Sequence, residues 1–358
     1  MAAHNVLLTG AAGYIGGSIV ADFLTGIVPS LKKEAVFAAV RSEEQAEALS
    51  KSGANVIRLD LRDAEAIEKT ISDHKISIII HLASSLDPSP AVNMINALSK
   101  QREATGQQVY FIHTSGLSAF LEKTGWPSGT FHDTGNSVFE TEKQLADSYA
   151  LRKTDVTVIE TAMAKDVTSF IVIPSHTYGK GTGAWNRLSV TVPILIKASI
   201  ERKEVRQFEG IRQDSYVHIS DLTALYGRIV EKILHGEDPP SGSNGYYFAI
   251  AHRLLSNEFA DHLAATLHAR GLVGSPKSEV WPSHEAAADA LGVPAMFVDI
   301  LFNSGDDMAS KSGEKVDWQP KWDKERFLNN LNAEIDAVIE LGKAKSSLID
   351  SLFAAAKQ

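Results

Sequence analysis

A short buried strand that runs into a glycine turn and then into a helix constrains this chain more than any other feature. Val6-Leu7-Leu8 supplies the strand, and Thr9-Gly10-Ala11-Ala12-Gly13-Tyr14-Ile15-Gly16-Gly17 follows with Gly10, Gly13 and Gly16 at three-residue spacing. Ile19, Val20, Phe23 and Leu24 then recur at helical spacing until Gly26. In such a turn the first glycine permits a sharp bend, the second lets a diphosphate approach the backbone, and the third lets helix and sheet pack closely. The free N–H groups and the positive end of the helix then face the phosphate charge. Gly10, Gly13, Tyr14, Ile15 and Gly16 are therefore the expected diphosphate ligands of a dinucleotide. The alternative, a purely structural glycine turn, is weakened by the position of the motif between a strand and a helix.

The pattern continues as strand and helix in alternation. Ala35 to Val40, Asn55 to Leu59, Ile76 to Ile80, Val109 to His113 and Phe170 to Ile173 read as strands, with helical stretches between them. Alternation of this kind predicts an α/β fold, a doubly wound parallel-sheet Rossmann fold with a smaller C-terminal substrate lobe. The expected division is residues 1–178 plus 215–250 for the dinucleotide-binding unit, 179–214 and 251–325 for the substrate lobe, and 326–358 for C-terminal helices. Val138 to Ala164 reads as helical with a break near Tyr149.

Composition removes several function classes. Of 358 residues none is cysteine, which rules out disulfides, thiolate metal sites and a cysteine nucleophile. No histidine pair has chelating spacing either, so no metal is expected. Acidic residues outnumber basic ones by 44 to 35, with no basic run, which argues against nucleic acid or an acidic membrane as partner. No apolar stretch suits a membrane span, and the first residues lack the basic region of a signal peptide, so the expected address is the cytosol.

At the end of the second strand, where an acid would hold a free ribose 2′-hydroxyl, the chain reads Ala38-Ala39-Val40-Arg41-Ser42. The planar guanidinium of Arg41 suits a 2′-phosphate or stacks on adenine, which favours NADP over NAD, while a solvated surface arginine is the bland alternative.

Several segments, in order, resemble the extended short-chain dehydrogenase/reductase superfamily, in its NAD-dependent epimerase/dehydratase and NmrA-like branch. They are Thr9 to Gly16, Asp60-Leu61-Arg62-Asp63, Ile80-His81-Leu82-Ala83, His113-Thr114-Ser115-Gly116, Pro174 to Gly179, Val217-His218-Ile219-Ser220-Asp221 and Asp317-Trp318-Gln319-Pro320. The resemblance implies that Asp60 and Leu61 contact adenine, that Ala83 lines the ribose and phosphate path, that Thr114 and Ser115 lie beside the nicotinamide, and that Pro174 to His176 wrap its carboxamide. Without it, Asp60 reads as a turn or cap residue and Ala83 as packing.

Chemistry at a carbinol or carbonyl carbon needs an acid or base at the oxygen, a group that lowers its pKa and a donor that fixes the oxygen. In the superfamily these are Tyr, Lys and Ser. The resemblance implies Ser115 with Tyr149-Ala150-Leu151-Arg152-Lys153, whose Y-x-x-x-K spacing would put Tyr149 and Lys153 on one helix face. A helix beginning only after Lys153, capped by Thr154-Asp155, would separate them. His176 is a second candidate acid or base.

These readings lead to an NADP(H)-dependent oxidoreductase that interconverts a carbonyl and a secondary alcohol on a small organic molecule. The rivals are an epimerase, dehydratase or non-redox isomerase on the same scaffold, and an NmrA-like dinucleotide sensor without catalysis. Dimerisation through helices flanking the sheet is common among such proteins, so a homodimer is the assembly to test.

Overall fold

The computed structural model describes residues 4–135 and 137–345, together with 353 and 356. Seven parallel strands form the main sheet in the spatial order Asn55–Arg58, Val36–Val40, Asn5–Thr9, Ile76–His81, Tyr110–Thr114, Thr168–Pro174, Tyr246–Ala249. From Asn5–Thr9 the chain builds outward in one direction, then returns to the other side at Ile76–His81. That reversal opens a crevice at the carboxyl ends of the two central strands, where a ligand of a doubly wound sheet sits.

Successive strand residues point to opposite faces, so each strand feeds two cores. Val6, Leu8, Ile80 and Val172 pack with Phe23 of the helix Tyr14–Thr25 and with Leu225 and Ile229 of the helix Ile219–Leu234. Leu7, Ile79, Phe111 and Ile171 pack on the other face with Ile67, Leu98 and Ile159, carried by the helices Ala64–Asp73, Ser89–Thr105 and Ala150–Ala164. Cover on both faces explains why the strands read as continuous apolar runs.

A three-stranded sheet of His252–Leu255, Gln213–His218 and His176–Tyr178 begins the second lobe. Residues 215–218 thus pair with lobe strands, whereas the helix after them covers the main sheet. The cause is aromatic: Tyr216 packs against His176, His252, Phe259 and Phe327. Two of the motifs hold each other, since Trp318 Nε1 donates to the Asp221 carbonyl at 2.8 Å and the Asp221 carboxylate accepts from the amides of Lys321 and Trp322. The C-terminal helices Lys324–Asn329 and Leu331–Leu341 bury Phe327, Leu331, Ile335 and Val338 in the lobe core. Beyond 345 the expected helical tail lies outside the described residues, apart from 353 and 356. Among the described residues no helix is long and apolar enough to cross a membrane, and no group of three or more His, Asp or Glu is arranged to hold a metal ion.

Candidate active site

The glycine turn is built for close approach. Gly10 has φ of 67°, and a Cβ there would lie 2.8 Å from the Leu82 carbonyl carbon. A Cβ on Gly16 would collide with the Gly10 carbonyl oxygen, so the third glycine lets the helix sit against the turn. Gly13 is the N-cap, no side chain caps the helix, and its first bond runs from Gly17 N to Gly13 O at 2.8 Å. The amides of Tyr14, Ile15 and Gly16 therefore precede the helical ladder and point out of the helix end. A diphosphate fits this arrangement: a backbone cradle without side chains, with donors and a favourable dipole at its floor.

The Tyr14 side chain has another task. Its buried hydroxyl lies 2.7 Å from the Gly179 carbonyl and 3.0 Å from that of Tyr178. Burial, with Glu334 and Tyr178 nearby, holds this phenol well above its ordinary pKa, so it acts as a donor. A Cβ on Gly183 would lie 2.8 Å from the Gly17 carbonyl carbon, which shows how closely the 179–183 segment packs on the first helix. Tyr14 can therefore serve a dinucleotide through its amide while its ring secures that segment.

After the strand Val36–Val40, a capping box between Ser42 and Gln45 opens the helix Glu43–Lys51, and Gln45 Oε1 also accepts from the Arg41 amide at 3.3 Å. The Arg41 guanidinium is exposed and makes no ion pair among the described residues. Asp60 is exposed as well, and Arg62 grips it through Nε at 3.1 Å and Nη2 at 2.9 Å. Hydrogen bonds from Arg62, with Arg41 adding to its charge, hold the Asp60 carboxyl below the ordinary range. Leu61 is half-buried, and the exposed Ala83 presents its backbone to Gly10.

Thr114 ends the strand Tyr110–Thr114, the fifth, and Ser115 follows it, facing the opposite way. Thr114 Oγ1 pairs with the Tyr226 hydroxyl at 2.7 Å, so its side chain serves the packing of the first face. Ser115 turns to the other face, where its hydroxyl donates to Asp155 Oδ2 at 2.5 Å. Asp155 Oδ1 is 3.3 Å from His113 Nε2, and the His113 ring stacks on His81 at 5.5 Å between centroids. Burial and the neighbouring His113 push the His81 pKa well down, so it is neutral. Glu142 accepts from the Tyr246 hydroxyl. Burial, then the Asp155 carboxyl beside it, push the Glu142 pKa well up.

Tyr149 and Lys153 stand one turn apart, since the Lys153 amide donates to the Tyr149 carbonyl at 3.1 Å. The helix starts at Ala150, before Lys153, with Tyr149 as its extended N-cap at φ −154° and ψ 127°. The Tyr149 ring lies under the Arg152 guanidinium at 5.3 Å. Lys153 has a side chain 61% exposed, and its ammonium is 3.3 Å from Asp147. No hydrogen bond joins either residue to Ser115 among the described residues. The helix instead turns Leu151 toward Gly116 and Asp155 toward Ser115, a pair at the same four-residue spacing but two positions on. The buried stripe Leu151, Asp155, Val158, Ala162 carried that information, because Lys153 falls on the outer side of a 3.6-residue repeat. Arg152, fully buried, was not anticipated. It ties this helix to Ala119 O, Ser148 Oγ and Thr124 Oγ1 at 2.6, 3.0 and 2.9 Å.

Beyond Pro174, which ends its buried strand, His176 is half-buried and meets Thr191 Oγ1 at 3.2 Å. It borders a small cleft of about 50 Å³, open to solvent and walled by Val192, Leu195, Phe208, Phe259 and Phe302 with Arg212 among them. Trp126 is buried against Phe120 and Phe131.

Comparison with known proteins agrees with this geometry. Residues 6–240 match the model of the NAD dependent epimerase/dehydratase family. A curated UDP-glucose 4-epimerase of Cyamopsis tetragonoloba is 36% identical over 88 residues, 23% of this chain and 25% of that protein, so the match spans about a quarter of the relative's length. Among solved structures, the Thermotoga maritima UDP-glucose 4-epimerase with UDP-glucose aligns with TM-score 0.61 at 15% identity, over 95% of this chain and 100% of its own. The Bacillus anthracis dTDP-glucose 4,6-dehydratase in complex with NAD aligns with TM-score 0.62 at 14% identity, over 94% and 97%. At such identities the structures show the fold, and the family model, which spans more than half of the chain, shows the family. The chain belongs to the NAD dependent epimerase/dehydratase family, a family of enzymes of the extended short-chain dehydrogenase/reductase type.

Proposed function

We propose that the protein is an NADP(H)-dependent oxidoreductase that interconverts a carbonyl and a secondary alcohol on a small organic molecule. The observation that carries this is the uncapped helix opening at Gly13, next to a backbone cradle at the switch point of the sheet. When bound, the nicotinamide dinucleotide supplies the redox equivalent. The amides of Tyr14, Ile15 and Gly16 hold its diphosphate, Asp60 and Leu61 border its adenine, Ala83 lines its path, and Thr114, Pro174 and His176 shape the nicotinamide end. Arg41 supports NADP, because its free guanidinium stands where an acid would otherwise receive a ribose hydroxyl. Ser115 orients the substrate oxygen at the carboxyl edge of the sheet.

A second reading is favoured by the relatives, several of which are epimerases or dehydratases. Here the coenzyme would stay bound and be regenerated in each turnover. One assay separates the two: purified protein is mixed with NADPH and a panel of aldehydes and ketones, and reduced-nicotinamide absorbance is followed. Steady loss of absorbance with alcohol product supports the oxidoreductase. Isomerised or dehydrated product from a nucleotide sugar, with no net change in nicotinamide, would replace it with the second reading.

A further inference from the structure

Beneath Ser115 lies a set of ionisable groups that an ordinary core would not contain. Asp155, Glu142, His113, His81 and Tyr246 are all fully buried. Glu142 Oε1 and Asp155 Oδ1 are enclosed without a hydrogen-bond partner, while each other carboxyl oxygen accepts from a hydroxyl, Tyr246 on Glu142 and Ser115 on Asp155. Two neighbouring carboxyl groups removed from water cannot both carry charge at neutral pH. One proton held between the two carboxyl groups leaves the pair a single charge.

We propose that Ser115, Asp155 and Glu142 form the proton path of the reaction: Ser115 Oγ exchanges the proton of the substrate oxygen, and Asp155, backed by the proton it shares with Glu142, exchanges the proton of Ser115. This deepens the function proposed above and rests on it. In the oxidative direction the carbinol C–H bond breaks with its electron pair, transferring hydride to an oxidised nicotinamide dinucleotide. The substrate O–H proton passes to Ser115 Oγ as the Ser115 proton passes to Asp155 Oδ2, and reduction runs the same transfers in reverse. Ser115 is the catalytic residue here, and Asp155 and Glu142 are positioning residues that act through it.

The surroundings favour this path over a phenol and ammonium pair. Lys153 lies on the solvent side of its helix, whereas Asp155 projects to the strand that carries Ser115. The groups facing Asp155 are Ser115 and His113 from the fifth strand and Glu142 from the preceding helix. His81 stacks behind His113, and Tyr246 and the Arg152 guanidinium flank Glu142. Arg152 is held by three oxygens of the neighbouring loops, so it tempers the charge without pairing either carboxyl.

The test combines infrared spectroscopy of the full chain with turnover of whichever carbonyl compound the panel identifies. At neutral pH the wild type should show the carbonyl stretch of a protonated carboxyl group, sensitive to deuterium exchange, displaced by Ser115→Ala and lost in Glu142→Gln. Asp155→Asn should lower turnover by about 10²–10⁴ and flatten its pH profile while NADPH still binds. Glu142→Gln, which preserves a donor toward Asp155, should fold and shift the pH profile, and it stands in if the asparagine variant does not fold. A wild type without a protonated carboxyl band would overturn the proposal, with or without a known substrate. So would full turnover in Asp155→Asn, or abolition of turnover by Tyr149→Phe with Asp155→Asn active. Failure of NADPH to bind the wild type would instead remove the functional reading, leaving the infrared result to decide the shared proton.

Discussion

Glu334, on the last described helix, is only 4% exposed, and its Oε2 accepts from the Gly179 amide at 3.1 Å. It therefore pins the segment that Tyr14 also grips, and burial pushes its pKa up to about 7 against an ordinary 4.5. Because the folded-state value is the higher, the folded chain binds the extra proton between these two limits. Its stabilising effect is complete below about pH 4.5 and is lost as pH rises through about 7. Linkage with those two values makes the wild type lose about 2.5 kcal/mol between about pH 5 and about pH 8 from this group alone. Glu334→Gln, neutral throughout, should lack that loss. Urea unfolding of both proteins over this range measures it: the variant should gain on the wild type by about 2 kcal/mol or more as pH rises. A difference that stays flat would show that Glu334 is ionised in the fold at little cost, and would refute the argument from burial.

Three further outcomes follow from the site. Gly16→Ala puts a methyl group against the Gly10 carbonyl, so it should cost about 1–3 kcal/mol of stability in urea titrations and weaken coenzyme binding in calorimetry. Arg41→Ala should remove a charged hydrogen bond to a 2′-phosphate, weakening NADPH by about ten- to a hundredfold while NADH affinity is unchanged, as calorimetry would show. Arg152→Met strips a buried cation from three acceptors that hold the Ser115-facing helix to its loops, and should destabilise the fold by about 3 kcal/mol or more in chemical denaturation.

Local pattern was enough for most of the main sheet, because its central strands are buried on both faces and read as largely apolar runs such as Ile76 to Ile80. The glycine turn was equally legible, since Gly16 is imposed by its contact with the Gly10 carbonyl in the same turn and Gly10 by a left-handed φ of 67°. The interruption at Tyr149 could also be read. Gln213–His218 was harder to place, because a short strand does not reveal which sheet will receive it, and here the rings of Phe259 and Phe327 decide. The cluster under Ser115 was hidden for a related reason. Glu142 meets Tyr246, 104 residues away, and Asp155 meets Ser115, 40 residues away, so no spacing in the chain announces them. Y-x-x-x-K drew attention to Tyr149 and Lys153, yet the buried stripe of the same helix selects Leu151 and Asp155.

The central claim is that the amides opening the first helix hold the diphosphate of a nicotinamide dinucleotide. Backbone amide NMR of the ¹⁵N-labelled chain during titration with NADPH addresses it directly. Saturable displacement of the Tyr14, Ile15 and Gly16 signals, among the largest in the spectrum, is the predicted result. Signals at these positions that stay fixed at saturating NADPH and NADH, whether or not others move, would contradict it.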